Sequence, residues 1–229
     1  MAELSVPLFL SLKVAGWATL CATLLGVSIA YGLSRWNSRW CDMLDSLLTL
    51  PLVLPPTVIG YYLLVLLGRR GWLGEWLSGL GIELVFTWQG AVVAATVVAF
   101  PMVLKAARAA FEDINHTLEN AARVLGLSGP AIFFRVSLPL ALRGIVAGVL
   151  LAFARALGEF GATLMIAGSI PGRTQTLSIS IYEAVQAGND NLANMLVLVT
   201  SITCVTVLWV ASALVPRRDR VMGLPGKQR

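Results

Sequence analysis

Within the stretch ARALGEFGA, Arg155 and Glu159 stand four residues apart, one turn of a helix, in surroundings that are otherwise apolar. Opposite charges at that spacing offset much of each other's burial cost, and charges at membrane depth face a cavity or a partner. Two readings stay open. The pair, with Gly161 just beyond it, lines or gates a path for ions, or it is a helix-stabilising ion pair near the outer surface. A lone Arg155 would attract an anion, and Glu159 would oppose it. Other chemistry has little to draw on. There is one histidine, His116, no HExxH, and no nucleophile–base or carboxylate pair. Cys21, Cys41 and Cys204 lack paired spacing, which argues against a disulfide or zinc site; they read as small buried thiols, Cys41 in a short basic loop. No catalytic residue and no metal site is expected. Nor is there a GxxxxGK[ST] phosphate loop.

The elements that must carry these residues are membrane helices. Of 229 residues, 57% are hydrophobic and 13% charged, against about a quarter charged in soluble domains. Mean hydropathy is +0.80. A bilayer needs about 20 apolar residues per helix, and five segments qualify: 14–33, 43–67, 84–104, 136–157 and 192–215. The stretch 161–181, interrupted by Pro171, Gly172 and Arg173, reads as a partial or re-entrant element. The fold class is therefore all-α and polytopic. The first run begins without basic residues, carries Glu3 and continues to Leu33, so it reads as a retained span and not a signal peptide. In the second segment, Pro51, Pro55 and Pro56 within six residues predict a broken helix that faces protein or a path, or a packing kink. Gly144 and Gly148 have the GxxxG spacing of close helix approach, or fall at that spacing by chance in a Gly/Ala-rich run.

Orientation follows the Lys/Arg bias. Arg35 and Arg39, then Lys105, Arg108, Arg123 and Arg135, then Arg217, Arg218, Arg220, Lys227 and Arg229 fall on one side, against Arg69, Arg70 and Arg173 on the other. The richer side is expected to be cytoplasmic, with the N-terminus outside, the C-terminus inside, and residues 216–229 a cytoplasmic basic tail. The net charge of +5 is scattered between apolar runs, which argues against nucleic acid as a partner. Arg69 and Arg70, in an outer loop, could steer an anion or dock an acidic partner face, or simply snorkel at the interface.

Between the third and fourth spans, INHTLENAARVLGLS predicts an amphipathic helix over about 115–125. Leu118, Ala121, Ala122 and Leu125 follow the i, i+3, i+4, i+7 pattern of one face, and Glu119 and Arg123 lie on the other. Asn115 suits the N-cap and Gly126 a left-handed stop. Such a helix is too short to stand alone in water. Its apolar face is small and its polar face carries both charge signs, so a groove on a partner protein fits better than a lipid surface.

Glu119-Asn-Ala121-Ala122-Arg-Val-Leu-Gly126, followed ten residues on by Val136-Ser-Leu138-Pro139, resembles the EAA signature of ABC importer permeases. Asn120 stands where the pattern has its first Ala, and Val136 replaces Ile. The stretches LPLVLPPTVIGYYLLVLLGRRGWLG, FPMVLKAARAAFEDI and LAFARALGEFGATLMIAGSIPGRTQT extend the likeness over nearly the whole chain and resemble the molybdate-type permeases in particular. The resemblance implies a type I ABC importer permease fold in the bacterial inner membrane. It implies a homodimer around one path, two cytoplasmic ABC ATPase subunits that use ATP and Mg, a periplasmic substrate-binding protein and an oxyanion cargo. The helix over 115–125 would couple the ATPases to the spans through Leu118, Glu119, Ala121, Ala122, Gly126, Leu138 and Pro139. Pro55, Pro56, Arg155, Glu159 and Gly161 would belong to the path or gate, and Arg69 and Arg70 to its outer mouth. No cofactor is expected on this chain itself. A sulfate, thiosulfate or tungstate permease is the alternative, and a stand-alone carrier or channel a remote one.

Overall fold

The computed structural model describes residues 2–36 and 38–214, and every regular element among them is helical. Residues 215–229, with the end of the expected fifth span and the basic tail 216–229, lie outside the described residues. The helices in chain order are α1 (Ala2–Arg35), α2 (Arg39–Thr49), α3 (Pro56–Leu67), α4 (Trp72–Gly79), α5 (Trp88–Glu112), α6 (His116–Val124), α7 (Gly129–Ile132), α8 (Leu138–Leu157), α9 (Gly161–Ala167), α10 (Leu177–Gln186) and α11 (Asp190–Leu214). Among the described residues four stretches are long and apolar enough to cross a membrane: Leu4–Arg35, Trp88–Glu112, Gly129–Leu157 and Asp190–Val210.

The expected second span is not one straight helix. Arg39–Leu52 and Pro56–Leu67 qualify only as a pair, bent by 106°. Pro55 and Pro56 supply no amide for a continuous ladder. The chain leaves α2 through a 3-10 turn at Leu50–Leu52 and starts α3 afresh, with Pro55 at its N-cap and Pro56 in the first turn, where a missing amide costs nothing. Cys41 is a buried residue of α2 and not of a loop; its thiol donates to the Leu33 carbonyl at 3.4 Å. The third span also shifts. The Thr87 hydroxyl accepts from Gly90 N–H at 3.2 Å and caps α5 at Trp88. The helix continues past Leu104 because its charges are paired: Lys105 with Asp45 of α2, Arg108 Nη1 with Asp45 Oδ1 at 3.0 Å, and Arg108 Nε with Glu112 Oε1 at 2.7 Å.

Helices α1, α5 and α8 form the core, lined by small residues such as Ala15, Ala18, Ala22, Ala91, Ala95 and Ala99, all without solvent exposure. Lipid provides little hydrophobic drive between helices, so close backbone approach has to supply the packing. α1 and α5 run parallel: the Thr96 hydroxyl donates to the Ala18 carbonyl at 3.4 Å, and a Cβ on Gly26 would stand 3.0 Å from Val103 Cγ1. α8 runs antiparallel to α5. A Cβ on Gly144 would be 2.6 Å from Ala110 Cβ, and one on Gly148 2.4 Å from Ala106 Cβ, so the GxxxG pair is the seam of this crossing. The stretch 161–181 is divided between α9 and the start of α10. α10 and α11 form a smaller apolar cluster of Leu177, Ala184, Ala193 and Leu196 against Leu4 and Leu8 of α1. The Leu177 N–H donates to Ser11 Oγ at 2.8 Å and ties that cluster to the core.

Candidate functional site

At one end of the bundle the last turn of α1, the end of α5, α6 and the entry to α8 converge. Asn115 Oδ1 accepts from Thr117 N–H at 2.9 Å and caps α6. Gly126, at φ +83°, closes it: Gly126 N–H donates to the Arg123 carbonyl at 3.0 Å and Leu127 N–H to the Ala122 carbonyl at 3.1 Å. These are the paired bonds of a left-handed helix stop.

The faces of α6 differ from the expectation in two respects, at Glu119 and at Ala122, which was expected on the open apolar face. Glu119 is not on the solvated face; it is 4% exposed. It pairs with Arg35 at the end of α1 and accepts from Ser137 Oγ at 2.5 Å. Ala122 is buried on the same side. Leu118, Ala121, Val124 and Leu125 face outward, with Val124 89% and Leu125 78% exposed. Burial of Glu119 is offset by its pairing with Arg35 together with the hydrogen bond from Ser137. Arg123 stays outside, its Nη1 donating to Asn120 Oδ1 at 2.9 Å. Behind Glu119 the helix that leads into α8 widens to a π turn at Phe133–Ser137, with Leu138 N–H donating to the Phe133 carbonyl. Pro139, with no amide and a ring that crowds the preceding turn, accounts for that widening. Leu138 is half-buried and packs on the core, and Pro139 is exposed. Sequence reasoning did not single out Arg35 or Ser137 as partners of Glu119. The available signal was an acid beside a buried-face alanine on a helix one turn from its start.

A second cluster lies deeper. The α5–α8 register, Gly144 on Ala110 and Gly148 on Ala106, continues to bring Arg155 level with about Ala99, near the middle of α5 and roughly 17–20 Å from either of its ends. α8 stops at Leu157. Arg155 Nη1 lies 2.6 Å from Glu159 Oε2, and the Glu159 side chain is 1% exposed. Its other oxygen, Oε1, accepts from Ala162 N–H at 2.9 Å and so caps the first turn of α9. A Cβ on Gly161 would stand 3.2 Å from both Pro56 Cβ and Thr57 Cγ2, and one on Gly60 2.7 Å from Met165 Cβ. α3 and α9 therefore start side by side at the same depth and run in parallel to the far end, where Phe86 N–H donates to the Ile166 carbonyl at 2.9 Å. The break at Pro55–Pro56 and the stop of α8 thus meet at Gly161, where a side chain would press on Pro56 and Thr57 and require them to give by a few tenths of an ångström.

At that far end Arg69 and Arg70 are exposed in the turn after α3. Arg69 Nη2 pairs with Glu83 Oε1 at 2.8 Å beside a cavity of about 450 Å³ lined by Leu67, Ser78, Leu84 and Phe86. Among the described residues no cluster of His, Cys, Asp and Glu could hold a metal ion.

Residues 22–220 match the family described as binding-protein-dependent transport system inner membrane component. The molybdenum transport system permease protein ModB of Escherichia coli (strain K12) is 44% identical over 208 residues, 88% of this chain and 91% of that protein. Its namesake in Haemophilus influenzae is 41% identical over 216 residues, covering 93% and 94%. The fold is also similar to that of the MetNI methionine ABC transporter in an inward-facing conformation, at TM-score 0.73 and 18% identity over 93% of this chain and 94% of that one. Matched over most of its length by the family model and at more than 40% identity by two curated relatives, this multi-pass chain belongs to the binding-protein-dependent transport system inner membrane components, the permease family of ABC importers.

Proposed function

We propose that the chain carries molybdate across the bacterial inner membrane as the permease of an ATP-driven importer, with no catalytic centre and no bound cofactor of its own. The identity of 44% and 41% to two molybdenum permeases, over about nine-tenths of each chain, carries the substrate reading. The partners are a second copy of the chain around one path, two cytoplasmic ABC ATPases that bind ATP and Mg, a periplasmic binding protein that delivers the oxyanion, and the surrounding lipid. The α6 end is cytoplasmic and the Arg69–Arg70 end periplasmic. The outward face of Leu118, Ala121, Val124 and Leu125 docks in a groove of the ATPase, because it is the apolar surface that α6 leaves open. ATP binding draws the ATPases together, moves the two copies of α6, and rocks the spans so that the path opens outward; hydrolysis resets them. Pro55, Pro56, Arg155, Glu159 and Gly161 lie along that path.

Vesicles that hold this chain with its ATPase and binding protein test the proposal through uptake of labelled molybdate. Uptake that requires ATP and is blocked by excess tungstate but not by sulfate is the expected result. Block by sulfate would move the chain to sulfate transport, and uptake independent of ATP would overturn the assignment.

At the periplasmic end, replacing Arg69 and Arg70 by Gln is expected to lower uptake about two- to threefold at low salt and to flatten its dependence on ionic strength. Arg69 is already paired with Glu83, which leaves Arg70 to carry most of the effect. An unchanged salt dependence would remove the steering role.

A further inference from the structure

We infer that Arg35 and Ser137 are positioning residues that clamp α6 to the spans through Glu119, so that a push on α6 moves α1 and α8 together. The inference rests on the permease function proposed above and adds the route by which docking reaches the bundle.

Glu119 is the sole acidic residue of α6, and it has turned away from the docking face. Its carboxylate joins two elements that are remote in sequence. Arg35 closes the last turn of α1, and Ser137 is the last residue of the π turn that opens into α8. Arg35 also donates from Nη1 to the Phe111 carbonyl at 3.3 Å, which adds the end of α5 to the same knot. An aromatic block backs it: Tyr31 stands edge-on to Phe133 at 4.7 Å and to Phe111 at 5.3 Å, and the Arg35 guanidinium lies over Tyr31 at 5.3 Å. The ends of α1 and α5 and the entry to α8 are therefore tied into one knot: Glu119 bonds Arg35 and Ser137, and Arg35 bonds the Phe111 carbonyl.

Such a joint is stiff for a physical reason. Pulling α6 away would leave a buried carboxylate without its counter-charge, which is costly, whereas moving α6, α1 and α8 as a unit keeps every bond. The outward residues of α6 make the opposite arrangement, apolar and exposed, suited to a contact that slides or re-forms. A π turn at the α8 end of the clamp leaves the ladder there one bond looser than an α-helix, so the entry to α8 can adjust while Ser137 stays attached.

The test uses the complete importer in vesicles and reads molybdate ions imported per ATP hydrolysed. Arg35→Ala is expected to lower that ratio at least fivefold while ATP hydrolysis stays within twofold of wild type. Arg35→Lys should restore part of it. Ser137→Ala, which removes a single hydrogen bond and no charge, should give a smaller fall of about two- to threefold. An unchanged ratio in Arg35→Ala overturns the clamp. If that variant does not accumulate in the membrane, Ser137→Ala decides: a wild-type ratio there overturns the clamp equally. A parallel drop of uptake and hydrolysis with the ratio intact also overturns it, because it marks loss of assembly and not loss of transmission. Wild-type vesicles run alongside separate the two claims. If they fail to import with ATP, the proposed function fails on its own.

Discussion

Replacing Gly126 by valine is expected to cut ATP-driven uptake about tenfold or more while the amount of protein in the membrane stays normal. Gly126 holds φ at +83°, and a Cβ placed there would meet no atom within 4 Å. The Cβ therefore meets no neighbouring element, and the expected effect comes from the backbone conformation. A side chain in the left-handed region costs about 1–2 kcal/mol, with β-branched residues faring worst, and each 1.4 kcal/mol shifts an equilibrium about tenfold. The strain is relieved by giving up the bonds from Gly126 and Leu127 to the Arg123 and Ala122 carbonyls. That frays the turn that carries Val124 and Leu125, the most exposed apolar residues of the docking face. Gly126→Asn is the control, since asparagine tolerates the left-handed region and should retain most of the uptake. Uptake at the wild-type level in Gly126→Val would sink the docking role of α6.

Glu159→Ala is expected to have the larger effect on the protein itself. The buried carboxylate does two jobs: it neutralises Arg155 and caps α9 at Ala162 N–H. Its loss leaves Arg155, 29% exposed, without its counter-charge and Ala162 N–H without its acceptor, a cost below the about 3–5 kcal/mol of breaking a fully buried pair, so protein in the membrane should drop several-fold and uptake should vanish. Glu159→Gln keeps an acceptor for Ala162 and should fall between. The double variant Arg155→Met with Glu159→Gln separates the two roles, because it removes the charge along with its partner. Normal abundance with uptake still absent would assign the pair to the path; recovery of both would make it a structural element only. Wild-type abundance and uptake in Glu159→Ala would contradict the buried geometry itself.

What was legible in the amino-acid order is what local physics decides. Long apolar runs with few charges mark α1, α5, α8 and α11, because a charge in hydrocarbon is costly over that length. The start of α6 at Asn115 and its stop at Gly126 were legible because cap and stop bonds form within a few residues. The break at Pro55–Pro56 was legible for the same reason, though its 106° bend was not. Hydropathy ended the third span at Leu104, one residue before Lys105, whereas α5 continues to Glu112 because Asp45, 60 residues away, accepts that charge.

The tertiary structure alone decided where the charges went. Arg155 and Glu159 could be paired from their spacing, but their depth depends on how Gly144 and Gly148 slot against Ala110 and Ala106 in another helix. The side that Glu119 takes depends on Arg35, 84 residues distant. An isolated α6 has no preference between water and a buried partner that its own sequence does not contain. Propensity, capping and hydropathy are short-range and survive in the bare sequence. The partner of a buried charge is set by which helices approach closely enough to exclude water, and that exists only once the bundle has formed.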